Sequence, residues 1–265
     1  MIDVAAYLAR ISYDGPIEPT LPVLREIHLA HLRSVPFENL DIHLGRPISL
    51  DEEDLFAKLV PARRGGFCYE LNGLFAALLR AIGYEVTLLA AQFPLADGRV
   101  PIEFDHLVLQ VAAPGMAPVL ADVAAGRRSF ASPLDIESDA PQWQPAAGAS
   151  FRLLPESGAM HLWRQEAGGA WERVYRFTWQ PRQLSDFQTG CDFHQTSPES
   201  EFTRKRVCTV MTGDGRVTLS GNRLITTRNG ARQEEELPDE AAWVRALQTQ
   251  FGMNFTSEFT DKGSS

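Results

Sequence analysis

The feature that most limits how this chain can fold is a change of hydrophobic period at Gly83–Tyr84. Before it, apolar residues recur at helical spacing; after it, they alternate. Asp3 precedes a periodic run to Ile11, and Thr20 with Pro22 opens a second run through His31. Ser49-Leu50-Asp51-Glu52 has capping-box form ahead of a third, ending near Pro61. A fourth helix starts at Cys68 or Tyr69 and stops at Gly83, a natural C′ residue. From Tyr84 the chain reads as strands over 85–93, 104–111, 119–123, 160–164 and 172–179, with Pro, Gly and Asp between them. This predicts a helical N-terminal part followed by a small antiparallel barrel or sheet. Positions 131–150, rich in Ala, Pro, Ser and Gly, read as an irregular insertion of the kind used for binding loops or lids. The last third carries strands around 206–212, 215–220 and 223–227, then a helix over 238–251 with Gly252 as its stop. A Ser-rich tail from Thr256 is expected to fray.

Within that frame, the turn Arg63-Arg64-Gly65-Gly66-Phe67 delivers Cys68 to the first turn of the fourth helix. The unpaired N–H groups and positive dipole end of a helix favour negative charge, and a thiol placed there can fall from about 8.5 to roughly 3.5–7.5. Cys68 is therefore a candidate nucleophile. The plain alternative is a small buried apolar residue, as free cysteines often are.

A nucleophilic cysteine needs a base, and the base needs an orienting partner. The segments Phe104-Asp105-His106-Leu107-Val108-Leu109 and Val119-Leu120-Ala121-Asp122-Val123 are joined by a turn containing Pro114-Gly115. A hairpin centred at Pro114 puts His106 directly opposite Asp122, with both side chains on one face. A slip of one residue would place them on opposite faces. Taken singly, His106 is a half-buried histidine and Asp122 a strand-edge carboxylate.

Composition narrows the partners. The 265 residues carry a formal net charge of −9, which argues against bulk attraction to nucleic acid or an anionic membrane. Any anionic ligand must then meet a local basic patch, and Arg127-Arg128 and Arg204-Lys205-Arg206 are the two short clusters that offer one. Three cysteines at wide spacing, Cys68, Cys191 and Cys208, do not suggest a disulfide framework. With no secretory pattern over residues 1–11 and no apolar run of membrane-spanning length, a cytoplasmic protein is expected. Cys191-Asp192-Phe193-His194 with Cys208, and His28 with His31 one helical turn apart, suggest metal ligands, but neither set supplies a fourth, so no metal is expected.

The run Arg64-Gly65-Gly66-Phe67-Cys68-Tyr69-Glu70-Leu71-Asn72-Gly73-Leu74-Phe75, with Val35-Pro36-Phe37-Glu38-Asn39-Leu40 upstream and His106-Leu107 and Asp122-Val123 downstream, resembles the arylamine N-acetyltransferases. The agreement in order and spacing extends to about residue 130. The late Phe202-Thr203 segment is compatible with it. The resemblance implies an α+β fold of three parts: a helical bundle over 1–83 with the nucleophile, an antiparallel β-barrel over 84–195 with the histidine and aspartate, and an α/β lid over 196–265. Their core would be a Cys-His-Asp triad like that of cysteine proteases and transglutaminases. It further implies Cys68 as acyl acceptor, His106 as proton acceptor and donor, Asp122 as the residue holding the imidazole, and Phe37 and Phe67 beside the thiol. Arg64 would be structural, paired with Glu38. The implied co-substrate is acetyl-CoA and the implied acceptors are small arylamines or hydrazines. Arg127 and Arg128 are the first candidates for the CoA pyrophosphate, ahead of Arg204-Lys205-Arg206.

One departure stands out. Where this family usually reads Val-Gly-Phe-Gly after the aspartate, the chain reads Val123-Ala124-Ala125-Gly126. Ala125 in place of an aromatic wall implies a wider or reshaped acceptor pocket, and Ala124 in place of glycine removes easy access to positive φ. An amide synthase of the same fold, taking its acyl chain from a carrier protein, is the nearest alternative; a peptidase or transglutaminase-like enzyme is more distant.

Overall fold

A computed structural model describes residues 2–95 and 101–255. The frayed tail expected from Thr256 lies outside them. Helices α1 (Val4–Arg10), α2 (Leu21–Ser34), α3 (Leu40–Leu44), α4 (Glu52–Leu59) and α5 (Cys68–Ile82) build the N-terminal part, with a short strand β1 (Phe37–Glu38) between α2 and α3. α5 begins at Cys68 and ends on Gly83, whose φ of +112° is the left-handed conformation expected of a C-terminal cap. Its residues Leu71, Leu74, Phe75, Leu78 and Leu79 are all fully enclosed, so this helix is the axis of the bundle. The capping box before α4 is displaced from the sequence expectation: Asp51, not Ser49, caps the helix by accepting from Glu53 N, and Ser49 accepts from Asp51 N one step earlier.

Eight strands follow in an antiparallel sheet: β2 (Glu85–Gln92), β3 (His106–Ala113), β4 (Met116–Ala121), β5 (Leu134–Asp135), β6 (Gln142–Gln144), β7 (Ala149–Glu156), β8 (Ala159–Glu166) and β9 (Glu172–Arg182), ordered β5-β4-β3-β2-β9-β8-β7-β6. The edges β5 and β6 are joined by side chains. Gln142 accepts from Asp135 N and donates to Asp135 O; Gln144 accepts from Ala131 N and Ser132 N and donates to Ser132 O. Two glutamine amides thus stand in for a missing backbone ladder and nearly close the barrel, leaving little exposed edge. The stretch read as an irregular insertion is therefore this seam, and the sequence reading missed β7 beside it.

The remaining elements are α6 (Gln188–Thr196), α7 (Glu201–Arg204), β10 (Val207–Met211), β11 (Gly215–Ser220), β12 (Arg223–Arg228), β13 (Ala231–Glu236) and α8 (Glu240–Phe251). A five-stranded sheet runs β1-β10-β11-β12-β13, so its first strand comes from the N-terminal part. Phe37 pairs with Thr209 on one side and bridges Gly66 on the other. That close approach requires Gly65, where a Cβ would come 2.1 Å from Pro36 O. Among the described residues, no helix is long and apolar enough to cross a membrane.

Candidate active site

Cys68 is the first residue of α5 and is 3% exposed. One turn along the same face stands Asn72, whose Nδ2 donates to Leu107 O at 2.6 Å and to Asp122 Oδ1 at 2.9 Å. The neighbouring Tyr69 hydroxyl donates to Phe104 O and Asp105 O. The first turn of α5 is thus clamped across the start of β3, where His106 sits. Phe104 has φ +58°, an unfavourable value for a bulky residue, and the Tyr69 hydroxyl helps hold it there, just ahead of the histidine.

His106 and Asp122 meet, but not as directly opposed residues. The β3–β4 register pairs Leu109 with Ala121 and Val111 with Val119, and is irregular between Val111 and Ala113. It is offset by two residues from a hairpin centred on Pro114. An even offset preserves the face, so the two become diagonal neighbours, still within hydrogen-bond reach. His106 Nε2 lies 2.9 Å from Asp122 Oδ2, with both side chains buried. Since Nε2 is committed to the carboxylate, Nδ1 is the ring nitrogen able to serve a thiol. Phe93 and Tyr175 flank the imidazole at 4.9 and 5.5 Å between ring centroids.

Asp122 accepts from Asn72 Nδ2 and Ala124 N at Oδ1 and from His106 at Oδ2. Burial works to raise its pKa; the His106 charge and these donors overcome burial and hold it below the usual carboxylate range. The thiol behaves otherwise. Burial pushes Cys68 well up, the charges of Asp105, Cys191 and Asp122 add to this, and only the Tyr69 N–H at the helix start opposes it. The helix-terminus effect expected from sequence is present but outweighed by desolvation. A thiolate here requires a cation beside it.

The Val123-Ala124-Ala125-Gly126 turn needs no glycine at position 124. Ala124 has no positive φ; the left-handed residue is Gly126 at +59°, which opens a 3₁₀ turn over Gly126–Arg128. Ala125 is 8% exposed and packs in the barrel core with Phe130 and Leu120. Phe67 is fully enclosed, edge-on to Tyr69 and Phe202, whereas Phe37 is half-buried and packs 5.9 Å from Phe202. Phe202 thus joins the two aromatics singled out from sequence. Arg127 is exposed and Arg128 half-buried, its guanidinium 5.8 Å from the Phe93 ring centre. Of the other basic cluster, Arg206 pairs with Glu240 and stacks on Trp243, and Arg204 donates to the carbonyls of Pro198 and Glu199, so both are occupied structurally.

Arg64 does pair with Glu38, Nη2 to Oε1 at 2.7 Å, and also reaches Asp41 at 2.9 Å. Lys58 extends the network to Asp41 and Glu70, both at 2.6 Å, and Glu70 Oε2 accepts from Phe67 N. Glu70 lies two residues from Cys68 and so on the opposite side of α5. The cavity of about 360 Å³ lined by Asp41, Lys58 and Glu70 is accordingly on the side of α5 opposite Cys68.

The metal alternatives do not assemble. Cys191 packs in the bundle core and Cys208 against α8; His194 bonds Ser200 and Asp105. His28 accepts from Asp122 N and stacks on Phe130, while His31 bonds Tyr7. Among the described residues no group of three or more His, Cys, Asp or Glu is placed to hold a metal ion.

The sequence profile of the N-acetyltransferases matches residues 20–260. The arylamine N-acetyltransferase of Mycolicibacterium smegmatis is 37% identical over 258 residues, 96% of this chain and 92% of that protein. This chain belongs to the arylamine N-acetyltransferase family. A second member, the arylamine N-acetyltransferase / N-hydroxyarylamine O-acetyltransferase of Salmonella typhimurium, is 33% identical over 250 residues, covering 94% of this chain and 88% of that protein. The structure of the Mycobacterium marinum arylamine N-acetyltransferase in complex with CoA superposes with a TM-score of 0.89 at 34% identity, over 99% of this chain and 95% of the other. The α+β fold with its barrel is thus the architecture of arylamine N-acetyltransferases.

Proposed function

We propose that the protein transfers an acetyl group from acetyl-CoA to arylamines, arylhydrazines or arylhydroxylamines by a ping-pong route through acetyl-Cys68. The observation that carries this reading is the buried His106 Nε2–Asp122 Oδ2 bond held under the helix turn that opens with Cys68, in a chain of this family.

Cys68 passes its proton to His106 Nδ1 as Sγ attacks the thioester carbonyl; Asp122, already ionised, stabilises the imidazolium through Nε2–H. Collapse of the tetrahedral adduct breaks the carbon–sulfur bond to CoA, and His106 returns the proton to the departing thiolate. An arylamine, weakly basic and neutral at the working pH, then attacks the thioester carbon. His106 takes the amine proton, a contribution of roughly 10²–10⁴-fold, and Cys68 leaves as the thiolate half of the restored pair. Residues 1–83 supply the nucleophile, 84–195 the base and its orienter, and 196–265 the lid. Phe37 is taken to shape the acceptor side; Ala125 packs in the barrel core, so Ala125→Phe tests that position, and unchanged acceptor selectivity would exclude it from the acceptor pocket.

The test is intact-protein mass measurement after brief exposure to acetyl-CoA, with Cys68→Ala alongside, followed by an aniline or hydrazine. One acetyl adduct that needs Cys68 and disappears with the acceptor supports the reading. No adduct on a thiol that still alkylates would favour a carrier-bound acyl donor or peptidase-like chemistry.

A further inference from the structure

The seam between the barrel and the five-stranded sheet gathers three arginines, and among the described residues only one of them, Arg164, is in an ion pair. Arg216 on β11 is half-buried, and its Nη1 donates to Thr209 Oγ1 at 3.1 Å. Thr209 abuts the turn carrying Arg127 and Arg128: a Cβ placed on Gly126 would come 4.0 Å from Thr209 Cγ2. Arg128 lies over Phe93, and Phe93 lies against His106. From β8 comes Arg164, whose side chain is 14% exposed. It meets the Glu166 carboxylate, itself 68% exposed, through Nη1, while its buried Nε has no hydrogen-bond partner.

Electrostatics agree with this placement. Burial lowers the pKa of both Arg128 and Arg216, the latter to about 10, and the positive charge of Arg164 lowers both further. Arg127 also acts against Arg128; Glu172 and Glu201 act in its favour without forming an ion pair. Among the described residues no ion pair is made by Arg128 or Arg216, in a chain whose net charge is −9. Like charges brought together and partly desolvated are unfavourable in the unliganded protein, and a bound oxyanion would offset that cost with charge-assisted hydrogen bonds.

We propose that Arg164 and Arg216, with Arg128, form an oxyanion subsite for a substrate group; Arg128 stands one aromatic ring away from the catalytic imidazole. It rests on the acyl-transfer reading above. Three guanidiniums from a turn, a barrel strand and a strand of the other sheet suit the multiple oxygens of a phosphate or carboxylate better than lysines would. In a ping-pong reaction both substrates use the same site in turn, so the oxyanion is either a phosphate of the CoA donor or an acid group on the acceptor.

The test uses full-length Arg164→Gln and Arg216→Gln in two arms. Acetylation of Cys68 by acetyl-CoA is compared with acetylation by p-nitrophenyl acetate, which has no phosphate. Transfer from acetyl-enzyme to 4-aminobenzoate is compared with transfer to its uncharged amide. Each variant is expected to lose about tenfold in kcat/KM for one charged substrate and to stay within about twofold for the uncharged counterpart. Loss confined to acetyl-CoA assigns the phosphate; loss confined to aminobenzoate assigns the carboxylate. Equal loss for charged and uncharged partners, or no loss for either, overturns the subsite. If a Gln variant does not fold, Arg216→Lys keeps the charge but not the guanidinium fork, so a smaller loss confined to the charged substrate supports the subsite and a loss shared by the uncharged counterpart overturns it. Wild-type protein that accepts acetyl from neither donor would instead reject the acyl-transfer reading itself.

Discussion

Asn72 ties the helix that opens with Cys68 directly to Asp122: its Nδ2 lies 2.9 Å from the carboxylate and 2.6 Å from Leu107 O, and its Oδ1 accepts from Val123 N at 3.0 Å. One buried amide therefore fixes the distance from the start of α5 to both β3 and the loop after β4. Asn72→Ala should lower kcat/KM for acetyl-CoA by one to two orders of magnitude, about 1.4–2.8 kcal/mol in transition-state stabilisation. It also leaves a buried carbonyl and a buried N–H unpaired, at about 1–3 kcal/mol each. Asn72→Asp separates the roles: it keeps the shape but sets a second carboxyl against Asp122, so one of the two must stay protonated and the pH profile of kcat/KM should move. Single-turnover acetylation across pH checks both; an unmoved profile in Asn72→Asp with wild-type rates would refute the positioning role.

How Cys68 ionises is a second point of test. Burial, Asp105 and Asp122 all push the lone thiol up, so under the proposed mechanism its reactivity should depend on the proton passing to His106. His106→Asn is expected to slow alkylation of Cys68 by iodoacetamide at pH 7 by at least about 100-fold, with reactivity returning only at strongly alkaline pH. Rates equal to wild type would mean that the helix terminus alone suffices.

The buried network around Arg64 makes an asymmetric prediction. Removing the guanidinium strands Glu38, which has no exposed side-chain surface, and also deprives Asp41. Removing the Glu38 charge leaves Arg64 with Asp41. Arg64→Met is therefore expected to cost about 3–5 kcal/mol, and Glu38→Gln only about 1–3 kcal/mol. Urea denaturation of the two variants checks the order, and the reverse order would contradict the shared role of Asp41.

What the sequence made legible follows from the range of the interactions involved. The span of α5, the strand identities around it and the same-face relation of His106 and Asp122 are set by local periodicity and by a parity that survives the two-residue offset between Leu109 and Ala121. The irregularity near Ala113 was not legible, since nothing in Val111-Ala112-Ala113 announces it. The role of Gln142 and Gln144 was hidden for a different reason: their partners lie on the opposite edge of the sheet, and a polar, Pro-rich run reads as loop until that edge is present. Arg164 and Arg216 were missed because each stands alone in an ordinary strand, 52 residues apart, and only the meeting of the two sheets makes a cluster of them.

The last prediction concerns His28, which supports the far side of Asp122. Its Nε2 accepts from Asp122 N, and its Nδ1 faces Ala131 O. Burial, only partly opposed by Ala131 O and Asp122, lowers its pKa from 6.5 to about 4. The unfolded chain therefore binds this proton near pH 6.5, and the folded protein only near pH 4. Stability rises with pH wherever the unfolded state holds more protons, so the contribution of His28 is complete above pH 6.5 and is lost as pH falls toward 4. The span corresponds to roughly 3 kcal/mol. His31, also fully buried, is shifted in the same direction and adds to the slope. His28→Asn keeps a polar acceptor without a proton to gain, so the urea midpoint should fall less steeply from pH 6.5 to 4.5, by close to one proton in the linkage slope. An unchanged slope would mean that His28 already holds the proton in the fold, and would contradict its acceptance from Asp122 N.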